Sequence, residues 1–536
     1  MAPMVSAAGP FGRPLSIALV AGICHLDATA SFLRSGARLS VGQQDSMSTC
    51  TALKNMVTHF TVGVKVGTPP QSFDVVADTG SDSLIVESCM CEQTKSCFSK
   101  SRCFRGTNRS STFSLKKMKP QSNALTRGSS LPAVVLSFGS GPVEALIASD
   151  MVRVGRADAY MKEGLLLMVD QGLRLSGPFE GILGLGLPQH KKPAQLLEKP
   201  ALAREAGRHA GSPFEDTEPP ADGQELQYEP KGFLETVGAS QFSMCFNDRD
   251  DGVLRLGGPA MQRPLGSVGQ VHWGLDFRGV SIGGGSASKD APVLFCGPDS
   301  KLPGQATACG AIPDSGTTVM TGPTQHLKEL FTGICDAWTE CRDEAAKSDK
   351  PLFHVFQILL EDCGKWPQNG KGYSALPTLR FHVAGASGEE QVLELPPTLY
   401  VLETVAEEVK HVRKYLMGVL PVDLEVHTGK THKVCVPAFG EMKYDTKLNG
   451  PVWIFGTPVF YQYRVGYNLK SQPPTVAFSD EPCGHCHEGE DSMASQANST
   501  KVGLVTQRTL RRSSRTAPLY VSGPIRMPEK DTSLPL

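Results

Sequence analysis

The chain has 536 residues, 40% of them hydrophobic and 20% charged, with 55 Gly, 39 Pro and a formal net charge of −1. That length exceeds one ordinary core, and that composition excludes a disordered polar chain, so two lobes with appendages are expected. The near-zero charge gives no basis for nucleic acid or an anionic membrane as a partner. In chain order, Arg13 precedes an apolar run, Leu15 to Ile23, and then Ala28-Thr29-Ala30, with small residues at the −3 and −1 positions of a cleavage site. Residues 1–30 therefore read as a secretory signal, the alternative being an uncleaved anchor. No other stretch approaches the ~20 apolar residues of a stable membrane span. Residues 31–55 are polar and Gly/Ser-rich, and read as a leader or short propeptide.

A strand-like series runs from His59 to Val66 and stops at Gly67-Thr68-Pro69-Pro70. Next come Phe73 to Ala77, then Asp78-Thr79-Gly80-Ser81, then Leu84-Ile85-Val86. Short apolar runs punctuated by turns continue to about residue 480 with no dominant helical period, so the chain reads as mostly β. Two stretches interrupt it: 189–230, an insertion with a helix expected from Ala194 to Ala206, and 403–433, a charged second insertion. Residues 481–536 read as a disordered polar tail. Its cluster Arg508, Arg511, Arg512 and Arg515 is a solvated patch, or alternatively a processing or binding site.

The strongest signal is a repeat. Val75-Val76-Ala77-Asp78-Thr79-Gly80-Ser81 recurs 236 residues later as Gly310-Ala311-Ile312-Pro313-Asp314-Ser315-Gly316-Thr317-Thr318. Each copy leads an apolar strand into Asp, then a hydroxyl residue, Gly and another hydroxyl. An apolar setting lets a carboxyl pKa move, Gly lets two loops approach, and hydroxyls can donate to the carboxylates. Two carboxylates brought to about 3 Å cannot both ionise and so share one proton. Asp78 and Asp314 are therefore the candidate catalytic pair, with Thr79, Gly80, Ser81, Ser315, Gly316 and Thr317 as its support. One Asp-Thr-Gly alone is an ordinary turn sequence; two copies a lobe apart are specific.

From Phe60 to Phe478 the chain resembles the pepsin-like aspartic protease family. Val66 to Gln71 looks like the turn before that family's first catalytic strand. Phe179 to Gly186 and Trp453-Ile454-Phe455-Gly456 look like the apolar-Gly segments that pack under its two Asp loops. Gln241 to Cys245 and Leu254 to Gly258 are similar to the end of its first lobe, and Val319-Met320 followed by Thr321-Gly322-Pro323 to its run after the second Asp. The resemblance implies a mostly β, bilobal acid-protease fold with a cleft between an N-terminal lobe, 56–260, and a C-terminal lobe, 261–480. It implies an aspartic endopeptidase acting as a monomer on polypeptides in the secretory pathway, without cofactor or metal. It also implies a flap at Leu136 to Gly141, with Phe138 and Gly139 at its tip. The family's usual Tyr and its Trp partner are replaced here by Phe138 and Ile85, so the polar latch between them is missing from both sides. Pro313 before Asp314 and Tyr467 in place of a common Asp are further departures.

Fourteen of the 15 cysteines remain once Cys24 is assigned to the signal, an even number that fits disulfides in an oxidising compartment. Cys89, Cys91, Cys97 and Cys103 form disulfides or, alternatively, a thiolate metal site. By the resemblance, Cys296 pairs with Cys309 and Cys363 with Cys435, and Cys335 with Cys341 is a further candidate pair. Cys483-Gly484-His485-Cys486 is a redox-type spacing without a thioredoxin-like context, which favours a terminal staple over a redox module. Asn108-Arg109-Ser110 and Asn498-Ser499-Thr500 are glycosylation sequons. The alternative to the protease is a catalytically silent binding or inhibitor protein on the same scaffold.

Overall fold

The computed structural model describes residues 48–94, 102–116, 130–139, 141–171, 173, 180–188, 195–200, 230–283, 293–363, 375–416 and 420–486. The expected signal, Cys24, Cys97, Asn498 and the Arg508–Arg515 cluster lie outside them. The fold is mostly β. A 15-stranded sheet carries the first Asp loop and a nine-stranded sheet carries the second.

The strand Phe60–Val66 places Val62, Val64 and Val66 inward while Gly63 and Lys65 face solvent. It turns at Gly67, whose φ of +91° suits glycine, into the antiparallel strand Gln71–Asp78, with Val64 opposite Phe73 and Val62 opposite Val75. Gln71–Asp78 pairs in parallel with Gly181–Gly184, and Leu84–Glu87 pairs antiparallel with the far side of that same strand. The second sheet repeats the device. Cys309–Pro313 pairs in parallel with Gly450–Phe455, and Met320–Gly322 meets it antiparallel at Thr321 and Ile454. In both halves the chain runs down one side of an apolar strand, loops at Asp, and returns on the other side. The segments that resemblance placed under the Asp loops are these central strands.

The chain between Arg464 and Ser479 returns to the first sheet. Arg464–Asn468 pairs with Gln241–Cys245, and Thr475–Ser479 pairs with Leu265–Gly266. Phe242 stacks on Tyr467 at 4.6 Å, and Trp273 packs against Tyr467 at 4.9 Å.

Two expectations change, for Gln195–Pro200 and for the segment after Glu481, and two segments gain a structure the sequence left open. Thr49–Asn55, placed in the leader, is a strand paired with both Gly252–Leu256 and Phe60–Val66, because its own backbone groups complete two ladders. Gln195–Pro200, expected to be helical, pairs antiparallel with Ser130–Phe138. Pro200 cannot sit inside a helix without losing a hydrogen bond, whereas it is tolerated at the end of a strand. The 403–433 insertion belongs to a two-stranded hairpin, Val401–Leu416 with Leu420–Pro437. The segment after Glu481 is held to the body through residue 486 by two disulfides, Cys245–Cys483 and Cys50–Cys486.

Three helices also form that the β-biased reading passed over: Thr324–Ala337, Thr339–Ala345 and Leu352–Glu361. The first buries Leu327, Leu330, Phe331, Ile334 and Cys335, which recur at helical spacing. That period was present in the sequence and was masked by the strands around it.

The candidate pairs Cys296–Cys309, Cys335–Cys341 and Cys363–Cys435 all form, as does Cys89–Cys103. Cys91 is disulfide-bonded too. Cys483 and Cys486 bond to different partners and not to each other, which leaves no dithiol for a redox cycle. Replacing Cys245 and Cys483 together by Ser is expected to cost about 2–4 kcal/mol of unfolding free energy, read as a lower denaturant midpoint with no change in thiol-disulfide turnover.

Candidate active site

Asp78 ends one strand and Asp314 follows the end of another, and the two loops face each other. The Asp78 and Asp314 carboxyl groups are within hydrogen-bonding reach. Around Asp78, Gly80 N–H donates to Oδ1 at 2.9 Å and the Ser81 hydroxyl donates to Oδ2 at 2.5 Å. Around Asp314, Gly316 N–H donates to Oδ1 at 2.8 Å and the Thr317 hydroxyl to Oδ2 at 2.6 Å. Each carboxylate is held in plane by one backbone and one side-chain donor, in the same positions of the repeat.

The remaining hydroxyls do something different from what the sequence suggests. Thr79 and Ser315 do not serve the carboxylates. Ser315 N–H donates to Thr79 Oγ1 at 3.0 Å, and Thr79 N–H donates to Ser315 Oγ at 3.0 Å. Thr79 Oγ1 in turn donates to the Pro313 carbonyl at 2.9 Å, and Ser315 Oγ to the Ala77 carbonyl at 2.7 Å. Both residues are fully buried. This reciprocal clasp ties one loop to the other, and buried hydrogen bonds in a low dielectric fix relative position firmly.

The glycines are required by close approach. A Cβ on Gly80 would lie 2.7 Å from Asp314 Cγ, and one on Gly316 would lie 2.5 Å from Asp78 Oδ1. Any side chain at either position would push the opposite carboxyl away.

Burial and then the charge of Asp314 push the Asp78 carboxyl well above the ordinary carboxylate range, against the lowering effect of the Ser81 and Gly80 donors. A raised carboxyl beside a second carboxyl is the condition for one shared proton, which belongs to the pair and not to either residue.

Three further residues lie near the loops: Tyr467, singled out in the sequence only as a departure from the family pattern, and His272 and Trp273, which carried no signal there. Tyr467 sits beneath the clasp, its hydroxyl 3.3 Å from the Pro313 carbonyl and 3.4 Å from Thr79 Oγ1. His272 Nδ1 lies 3.1 Å from the Gly80 carbonyl, so it must carry the proton that is donated. Trp273 Nε1–H donates to the Leu185 carbonyl at 3.0 Å. Local sequence does not reveal the role of His272, because it lies 192 residues from its partner.

Ser130–Phe138 and Gly141–Val154 form the hairpin expected for a flap, with Phe138 opposite Gly141 and Gly139 exposed at the turn. Phe138 is half-buried and packs on an apolar cluster that contains Ile85, Val134, Val143, Leu166 and Ile182. The two residues that replace a polar latch thus belong to one apolar contact.

Residues 59–198 match the family model for eukaryotic aspartyl protease. Pepsin A of Canis lupus familiaris is 31% identical over 54% of this chain and 62% of its own length. Pregnancy-associated glycoprotein 2 of Bos taurus is 27% identical over 54% of this chain and 63% of its own. Phytepsin of Hordeum vulgare is 27% identical over 52% and 46%. The chain thus spans roughly half to under two thirds of the length of these relatives. A matched family model around the first Asp loop, similarity to several pepsin-like proteins and a second Asp loop that repeats the first agree: the chain carries a eukaryotic aspartyl protease domain over residues 59–198 and is similar to the pepsin-like aspartic proteases.

Proposed function

We propose that the chain is an aspartic endopeptidase, with Asp78 and Asp314 activating a water between them. The observation that carries this reading is the pair of facing carboxylates, each with its backbone and hydroxyl donors intact. One member of the pair is ionised and takes a proton from water as general base. The other is protonated and donates to the carbonyl oxygen of the scissile peptide. Burial and the neighbouring Asp314 raise the Asp78 carboxyl, which favours the protonated form the pair needs. Polypeptides are the substrates and the working form is a monomer. The disulfides support residence in an oxidising lumen or outside the cell. Among the described residues, no helix is long and apolar enough to cross a membrane.

A peptide library incubated with protein lacking the leader, across about pH 3 to 7, tests this. Cleavage with an acidic optimum, absent from the Asp314→Asn protein, is the expected result. A protein that cleaves nothing while still binding peptides is the silent scaffold protein instead. Phe138→Ala removes the apolar anchor of the flap. It is expected to lower kcat/KM about tenfold, with the pH profile of the pair unchanged.

A further inference from the structure

We infer that Asn108 carries an N-linked glycan, and that the glycan is added before this part of the chain folds. Residues 107–109 form a turn closed by Arg109 N–H and Ser110 N–H on the Gly106 carbonyl, at 3.0 and 2.9 Å. Asn108 is exposed there, and so are Arg105, Thr107, Arg109 and Ser111. The acceptor amide therefore points into solvent, with room for a bulky sugar.

The third residue of the sequon faces the other way. Ser110 is buried, at 8% exposure. Its hydroxyl accepts from Thr68 N–H at 2.9 Å and donates to Asp150 Oδ1 at 3.0 Å. Asp150 is fully buried and also accepts from the Thr112 hydroxyl and its neighbour's N–H, Met151. The transferase reads the hydroxyl two residues after the Asn. In the folded protein that hydroxyl is enclosed and occupied on both its donor and acceptor sides. Asp150 lies 40 residues beyond Ser110, so the sequon enters the lumen with its hydroxyl free before its partner has followed it there. The sequon is legible to the enzyme only in that interval.

The co-reactant is an oligosaccharide linked to a lipid diphosphate. Asn108 Nδ2 attacks C1 of the terminal sugar and the bond from C1 to the diphosphate oxygen breaks. The amide gives up one proton and the lipid diphosphate leaves, with no change of oxidation state. The finished glycan stands on the turn, beside the loop that Arg102 fastens to Glu180 through paired hydrogen bonds of 2.8 Å. It leaves Ser110 to its structural role.

This inference rests on entry into the secretory lumen and is independent of catalysis. The full chain is translated in a cell-free system with vesicles that supply the lipid-linked oligosaccharide, present either throughout synthesis or added after folding and oxidation. Release by a peptide-N-glycosidase in heavy-oxygen water, which hydrolyses the Asn side-chain amide, then marks each glycosylated Asn as a labelled Asp. The expected result is a label at position 108 only in the first arm, lost in Asn108→Gln while that protein keeps its thermal midpoint. A chain that stays outside the vesicles, and so remains protease-sensitive, overturns the compartment and this inference together. A chain protected inside the vesicles with bare Asn108 overturns this inference alone, and equal labelling of the pre-folded protein overturns the order of events.

Discussion

Asp78→Asn is expected to lower kcat/KM by at least about 10⁴-fold, the upper end of what one positioned acid or base contributes. The amide is close in shape to the carboxyl, and its oxygen still accepts from Gly80 N–H or Ser81, so the loop keeps its form. What disappears is the shared proton, because Asn can neither take a proton from water nor pass one on. The pair acts as a unit, so Asp78→Asn combined with Asp314→Asn should be scarcely worse than either alone. A double variant markedly worse than the singles would mean that the carboxylates act separately.

The same substitution carries a stability effect of the opposite sense. The Asp78 carboxyl is raised above its ordinary 3.8 by burial and by Asp314, so the folded state binds its proton more tightly than the unfolded chain does. Its contribution is fully present below the ordinary value and is lost as pH rises through the folded range of the pair. Asn does not ionise. The Asp78→Asn protein should therefore melt higher than the native one at neutral pH, with the gap closing in acid. Melting curves at both pH values check this.

Thr79→Val is expected to cost about 2–4 kcal/mol of stability, because it orphans buried groups at roughly 1–3 kcal/mol each. Val has nearly the volume of Thr, so no cavity forms. The Ser315 N–H loses its acceptor, and the Pro313 carbonyl keeps only the longer contact from Tyr467. The loss falls on the bonds between the loops, so activity should fall with stability, and Thr79→Ser should restore both. A denaturant midpoint unmoved by Thr79→Val would show that the clasp adds little.

The Asp pair and its glycines were legible in the sequence because each loop is short and was written twice. The two hydroxyls nearest each Asp were legible as residues but not as roles. Whether a hydroxyl serves its own carboxylate or the opposite loop depends on a partner 236 residues away. His272 was hidden for the same reason, and Tyr467 was legible as a departure from the family pattern but not as a contact of the clasp. The helix from Thr324 to Ala337 was missed because a local 3.6-residue period was read against a long β background, and the strand Thr49–Asn55 because its worth lies in the two neighbours it joins. Cys483 and Cys486 were rightly separated from redox chemistry by their setting, while their partners Cys50 and Cys245 lie too far along the chain for spacing to reveal.

Those two terminal bonds set a load path. Cys50 stands two residues after the first described position and Cys486 is the last described one. A pull applied to the two ends of the chain is carried across a single covalent link, and the strands between them, with both Asp loops, bear none of it. The body enclosed by the Cys50–Cys486 link is thereby shielded from tension applied at its two ends.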